Sequence, residues 1–249
     1  MKTEPRETDA HILLADISGY TRFLRENTVT LRHAGYIVSE LLAAVMHRAE
    51  TTVRPEKLEG DAVLFVAPAG QTTDASVRRS MFGFFAAFYR RRAELIAHNT
   101  CPCEACATID RLDLKVIGHF GRVLRHKVNQ FEEVAGFDLI IAHRLLKNSV
   151  DASRYLMATA AAWERVRPED HDLPVERHVE QCEGVGDISV VVLRGEVPLP
   201  DDQPSPPLKT SIADRFGDFL VKHLMLLPFG KGLIRRGVRN AHGRLSAST

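Results

Sequence analysis

Apolar residues recur along this chain with two periods, one suited to strands and one to helices. HILLAD (11–16) is a short apolar run that ends in a carboxylate and meets Ser18 and Gly19, which predicts a buried strand feeding a helix. That helix reads as broken. YTRFLRE (20–26) forms one piece and GYIVSELLAAVMHRAE (35–50) the other, with Ile37, Leu41, Val45 and Met46 on one face at helical spacing. RPEKLE (54–59) and AVLFVA (62–67) flank Gly60-Asp61, and two strand-like runs around a two-residue glycine turn predict a β-hairpin. Residues 72–98 form the next helix, with Met81, Phe84, Phe85, Phe88 and Leu95 facing the core. LDLKVIGHFG (112–121) and RVLRHKV (122–128) read as a second pair of strands, EVAGFDLIIAHRLLKN (133–148) as a helix, and RYLMAT (154–159) as a strand. VERHVEQCEG (175–184) and DISVVVLRG (187–195) form a closing hairpin.

The order is β-α-β-β-α-β with further β and α elements behind it. This is the α+β, ferredoxin-like βαββαβ plan, in which an antiparallel sheet carries helices on one face. The plan hosts many activities, so function has to come from particular residues.

Composition narrows the classes. The chain has 249 residues, 45% of them hydrophobic and 26% charged, with 33 Lys and Arg against 32 Asp and Glu. That balance gives no reason to expect a nucleic-acid partner. No apolar stretch approaches the roughly 20 residues of a membrane span, and MKTEPRETDA lacks an apolar signal core. A cytoplasmic protein is expected. The charge is uneven, however: residues 209–249 hold eight Lys and Arg against two Asp, a net +6, which leaves −5 for residues 1–208. Between the two lies EVPLPDDQPSPPLK, with prolines at 198, 200, 204, 206 and 207, a density that blocks helix and strand interiors. Three parts are expected: a domain over 1–196, a proline-rich linker over 197–209 and a basic amphipathic helical tail over 210–249. The tail's apolar face and basic flank suit docking on its own domain, on a partner, or peripherally on an anionic membrane.

Two sets of residues carry candidate chemistry. Asp16 ends the first strand and Asp61 sits at the tip of the hairpin; if the strands are neighbours the carboxylates converge at one end of the sheet, and such a pair attracts hard divalent cations. Two plainer roles stay open, Asp16 as a helix N-cap and Asp61 as a turn residue. His98, Cys101, Cys103 and Cys106 offer four soft ligands within one loop, for which Zn2+ is the natural occupant. Three free thiols in a loop are the alternative, and a metal- or redox-sensing role is a further reading of the same cluster.

ADISGYTRFL resembles the opening strand and helix of the class III adenylyl and guanylyl cyclase catalytic domain, whose first metal aspartate lies in an FxDIxGFT-type motif. KLEGDAVLFVA resembles that family's hairpin with the second aspartate, and Gly136 followed by AHRL (142–145) resembles its G-x-x-V-N-x-A-x-R-L helix. The motifs stand in the family's order over roughly residues 10–195. The resemblance implies a site for two Mg2+ or Mn2+ ions on Asp16, Asp61 and the carbonyl of Ile17, with Lys57 contacting the base and Glu133 selecting it. Arg144 matches the arginine that stabilises the α-phosphate. It further implies ATP as nucleotide, conversion to cyclic AMP and pyrophosphate, a role in signal transduction, and a head-to-tail homodimer with its sites at the interface. One position departs: the ribose-orienting asparagine four residues before the arginine is Ile140. Two functions therefore stand side by side, an adenylyl cyclase of low or altered activity and a catalytically silent cyclase-homology module that binds nucleotide or mediates dimerisation.

Overall fold

The computed structural model describes residues 5–168 and 174–195, together with helical positions 217 and 220. The run that opens the chain forms β1 (Arg6–Ser18), whose residues from Ala10 to Ala15 are all buried. A strand covered on both faces has no polar side to show, so its sequence reads as a continuous apolar run. Leu13, Ala15 and Ile17 belong to one apolar cluster, and Ala10, Ile12 and Leu14 to another on the opposite face.

β1 lies inside an eight-stranded sheet with β2 (Arg54–Glu59), β3 (Ala62–Pro68), β4 (Asp113–Val128), β6 (Tyr155–Thr159), β7 (Val175–Cys182) and β8 (Gly186–Arg194). The order is β2-β3-β1-β4-β6-β8-β7, and β5 (Phe131–Ala135) pairs with β4 off this path. Only the β4–β6 pairing is parallel. The helices that cover the first face are led by α2 (Leu31–Arg48) and α3 (Asp74–Ala97), joined there by α1 (Tyr20–Glu26), α4 (Glu104–Ala107) and α6 (Ala160–Val166). Phe65, Phe84, Phe85 and Phe88 are buried on this face, with the rings of Phe65 from β3 and Phe84 from α3 stacked at 4.7 Å. Each such side chain contributes on the order of 1.5–3 kcal/mol by burial.

Three expectations change. The sheet does not keep its helices on one face: α5 (Phe137–Leu145) packs Ile141, Ala142 and Leu145 into the second cluster. Residues 112–128 are one strand, not two. β4 pairs with β1 from Asp113 to Arg125, while its other edge passes from β6 at Lys115–Gly118 to β5 at Leu124–Val128. The change of partner falls around Gly118 and Gly121, the glycines that suggested a break. The start of the helix read over 133–148 is strand, because Phe131–Ala135 form a ladder with β4 and Gly136 then turns the backbone at φ 140° into α5. The linker and tail read over 197–249 lie outside the described residues except for Gly217 and Leu220, both helical. Among the described residues no helix is long and apolar enough to cross a membrane.

Candidate functional site

The hairpin places the two aspartates. Glu59 and Ala62 face each other across a two-residue turn in which Gly60 adopts φ 72°, and Asp61 follows it. β3 runs beside β1 so that Asp16 pairs with Ala62, and the backbone N–H of Ile17 donates to the carbonyl of Asp61 at 3.1 Å. Asp16, Ile17 and Asp61 thus stand together at one end of the sheet.

β4 adds a residue that sequence reasoning missed. Lys115 is the register partner of Asp16 across β1 and β4, its Nζ lies 2.9 Å from Asp16 Oδ2, and it also donates to the carbonyl of Leu146 at 3.2 Å. Burial and the negative charge of Asp16 push the Asp61 carboxyl above its ordinary value, with Lys115 opposing them. Among the described residues Asp61 has no ion-pair partner within 4.0 Å. The corner therefore holds two carboxylates and one ammonium, with one negative charge left over. Lys115 also lines a groove of about 430 Å3 with Ser18, Asn148, Ser153 and Tyr155.

A second group of predicted residues meets beside β2. Lys57 Nζ lies 3.7 Å from Glu133 Oε2 on β5, while Glu132 turns to Lys127. Arg125 pairs with Glu56, and His143 Nδ1 lies 3.5 Å from Glu59. These pairs hold the β4–β5 hairpin and α5 against β2. Arg144 is elsewhere: its guanidinium is 3.5 Å from Glu183 in the β7–β8 turn, and both side chains are exposed. Ile140, one helical turn earlier, is 50% exposed, as is Phe137 at 58%.

The soft-ligand cluster changes in one member. His98 caps the C-terminus of α3, is buried, and has an Nε2 with no hydrogen-bond partner among the described residues; it does not join the cysteines. His33, on α2, does. The pattern signalled only that His33 is buried, since it stands four residues before Ile37 on the buried stripe of α2; nothing in it pointed to the cysteines.

Comparisons with known proteins give the fold its family context. A family model described as a protein of unknown function (DUF2652) matches residues 38–155. The uncharacterized protein Rv2561/Rv2562 of Mycobacterium tuberculosis is 37% identical over 122 residues, which are 49% of this chain and 57% of that protein, so the match spans little more than half of the relative. Among solved structures, a bacterial light-regulated adenylyl cyclase superposes with a TM-score of 0.59 at 15% identity, over 90% of this chain and 60% of that one. A class III adenylyl cyclase-like ATP-binding protein from Pseudomonas aeruginosa gives 0.52 at 14% identity, over 65% of this chain and 35% of that one. With the strand order and the helix placement described above, these likenesses show that the chain has the fold of the class III nucleotidyl cyclase domains.

Proposed function

We propose that this chain is an adenine-nucleotide-binding homologue of the class III cyclases that takes one divalent cation at Asp16 and Asp61 and cyclises ATP slowly. The observation that carries the reading is the carboxylate corner, where Asp61 is left without a compensating cation while Lys115 neutralises Asp16. The donor set fits a hard ion. Two carboxylate groups and the nearby Ile17 carbonyl are oxygen ligands of the kind Mg2+ and Mn2+ accept, and the surplus negative charge matches one ion better than two. Bound there, the ion supplies a lowered pKa at the ribose 3′-hydroxyl and a clamp on the triphosphate.

The chain's own residues do the rest. Lys115 holds the Asp16 carboxylate in an ion pair and adds a positive charge beside the triphosphate. Lys57 donates to adenine N1 while Glu133 accepts from the exocyclic amine; their 3.7 Å separation leaves them facing the same small space. Guanine would set its carbonyl against the Glu133 carboxylate and leave both acceptors unpaired, about 1–3 kcal/mol against GTP. Arg144 neutralises charge growing on the α-phosphate; within its own chain it pairs with Glu183 and with neither aspartate of the corner, and we assign it to the site of a second copy. Exposed Leu58, Phe131, Phe137 and Ile140 around the Lys57–Glu133 pair supply apolar area for that homodimer. Ile140 offers no hydrogen bond to the ribose, and one missing donor of this kind costs on the order of 100-fold in rate.

The silent-module reading is favoured by two features of the same site, the Asp16–Lys115 pair and Ile140. Purified protein incubated with ATP or GTP and Mg2+ or Mn2+, followed for cyclic nucleotide and pyrophosphate, separates the two. Slow metal-dependent formation of cyclic AMP supports the enzyme, ATP binding without product supports the nucleotide-binding form of the silent module, and absence of nucleotide binding overturns the proposal and leaves the dimerisation module.

A further inference from the structure

The geometry points to a closed zinc site formed by His33, Cys101, Cys103 and Cys106, residues that take no part in the chemistry discussed above. Its parts come from two places. His33 lies in the first turn of α2 with 4% of its surface exposed. The cysteines come from the connection between α3 and β4, where Cys101 precedes, Cys103 caps and Cys106 ends inside the one-turn helix α4. Cys106 is buried in the core, and Cys101 and Cys103 pack partly buried against it.

The distances are those of a coordination sphere. All four ligand atoms lie within 4.8 Å of one another, and His33 Nδ1 is 3.2 Å from Cys103 Sγ, 3.6 Å from Cys101 Sγ and 3.9 Å from Cys106 Sγ. A tetrahedral zinc with bonds of about 2.3 Å to sulfur and about 2.0–2.1 Å to nitrogen separates its ligands by about 3.5–3.8 Å. Three sulfurs converging on one imidazole nitrogen are poorly explained as hydrogen bonding, because a single ring nitrogen engages one good partner and thiols are weak donors. Disulfide pairing explains them no better: none of the three forms a disulfide, and any bridge among them leaves the third sulfur over.

The loop is built to present the sulfurs. Asn99 Oδ1 accepts from the N–H of Cys101 at 3.0 Å, and its Nδ2 donates to the carbonyls of Cys101 at 3.1 Å and Cys106 at 3.5 Å. One side chain thus ties both ends of the cysteine loop before any ion enters. Soft thiolates with one imidazole select zinc over the oxygen-seeking Mg2+ and Mn2+ of the carboxylate corner. With four protein ligands and no open position the ion is structural. It enters as Zn2+, three thiols give up their protons to solvent, and the filled site carries one net negative charge. The bond joins residues 70 apart in the chain and fixes the start of α2.

The full chain, purified without chelator from cells grown with added zinc, is expected to carry about one zinc per molecule by elemental analysis. Cobalt exchanged into it should give the intense visible bands of a tetrahedral thiolate-rich ion. His33→Asn and Cys103→Ser should each weaken zinc binding at least about tenfold in competition with a chromophoric chelator, whereas His98→Asn should leave it unchanged. Well under half an equivalent of zinc after reloading, the faint bands of octahedral cobalt, iron with matching acid-labile sulfide, or metal lost with His98→Asn but kept with His33→Asn would each overturn the assignment. The cobalt spectrum of the unmutated protein decides the matter even where a ligand variant fails to fold.

Discussion

Replacing Lys115 with methionine takes from the carboxylate corner the one ammonium found there among the described residues, while keeping the volume of its stem. Lys115 Nζ and Asp16 Oδ2 are 2.9 Å apart, with side chains 19% and 13% exposed. At an effective dielectric of about 20, Coulomb's law puts their attraction at about 6 kcal/mol, and desolvation offsets most of that. Removing one partner from a fully buried pair costs about 3–5 kcal/mol; the residual exposure here brings the expectation to about 2–3 kcal/mol. In a chain of 249 residues that lowers the melting temperature by about 5–10 °C. The same change raises the surplus negative charge beside Asp61, so a divalent cation should bind the variant more tightly than the parent. At about 100 times its Kd the ion returns about 2.7 kcal/mol, enough to close the deficit. Differential scanning fluorimetry in EDTA and in Mg2+ or Mn2+ reads both effects. Lys115→Met melting with the parent in EDTA, or shifting no further than the parent on adding metal, would refute the electrostatic account of the corner.

Other consequences follow from single residues. Ile140→Asn restores a ribose hydrogen bond and should raise the rate of ATP cyclisation at least about tenfold with ATP affinity little changed; a changed affinity at constant rate would remove position 140 from the chemistry. Because burial and Asp16 raise the Asp61 pKa above its ordinary 3.8, the stability this group lends is complete below that value and is lost as pH rises through the folded-state pKa. Asp61→Asn should therefore melt higher than the parent at neutral pH in EDTA and converge with it in acid, and an equal difference at all pH values would contradict the shift. Gly121→Ala would put a Cβ 2.2 Å from Asp138 Cγ, displacing a carboxylate that accepts from the Arg122 N–H at 2.7 Å and from His119 Nε2 at 2.9 Å. A loss of about 2–4 kcal/mol in urea unfolding is expected, and a loss below about 0.5 kcal/mol would show that Asp138 has room to move.

How far the sequence could be read depends on what kind of signal each element left. α1 spans Tyr20–Glu26, the run YTRFLRE itself, and the stripes of α2 and α3 are buried as their spacing demands except for Met46, which is partly buried. β4 was legible as strand but not as one strand, because its glycines looked like breaks and proved to mark a change of partner. β5 was hidden by its neighbour: the apolar residues of α5 begin directly after Gly136, and only pairing with β4 identifies residues 131–135 as extended. Asp16 and Asp61 could be expected at one end of the sheet because the hairpin was read as adjoining the first strand, whereas Glu133 was read at the start of a helix and stands on β5. Lys115 and His33 could not be placed, since each meets its partners from a remote part of the chain, across a register with β1 in one case and across 70 residues in the other.

The central claim is that Asp16 and Asp61 hold a divalent cation that brings adenine nucleotide to the corner. Calorimetric titration of the protein with a non-cyclisable ATP analogue, in Mn2+ and in EDTA, for the parent and for Asp61→Asn, tests it without requiring turnover. The account predicts binding of the analogue by the parent in Mn2+ alone, at least about tenfold weaker in EDTA and in Asp61→Asn. Binding of equal strength in EDTA, or undiminished in Asp61→Asn, would contradict it.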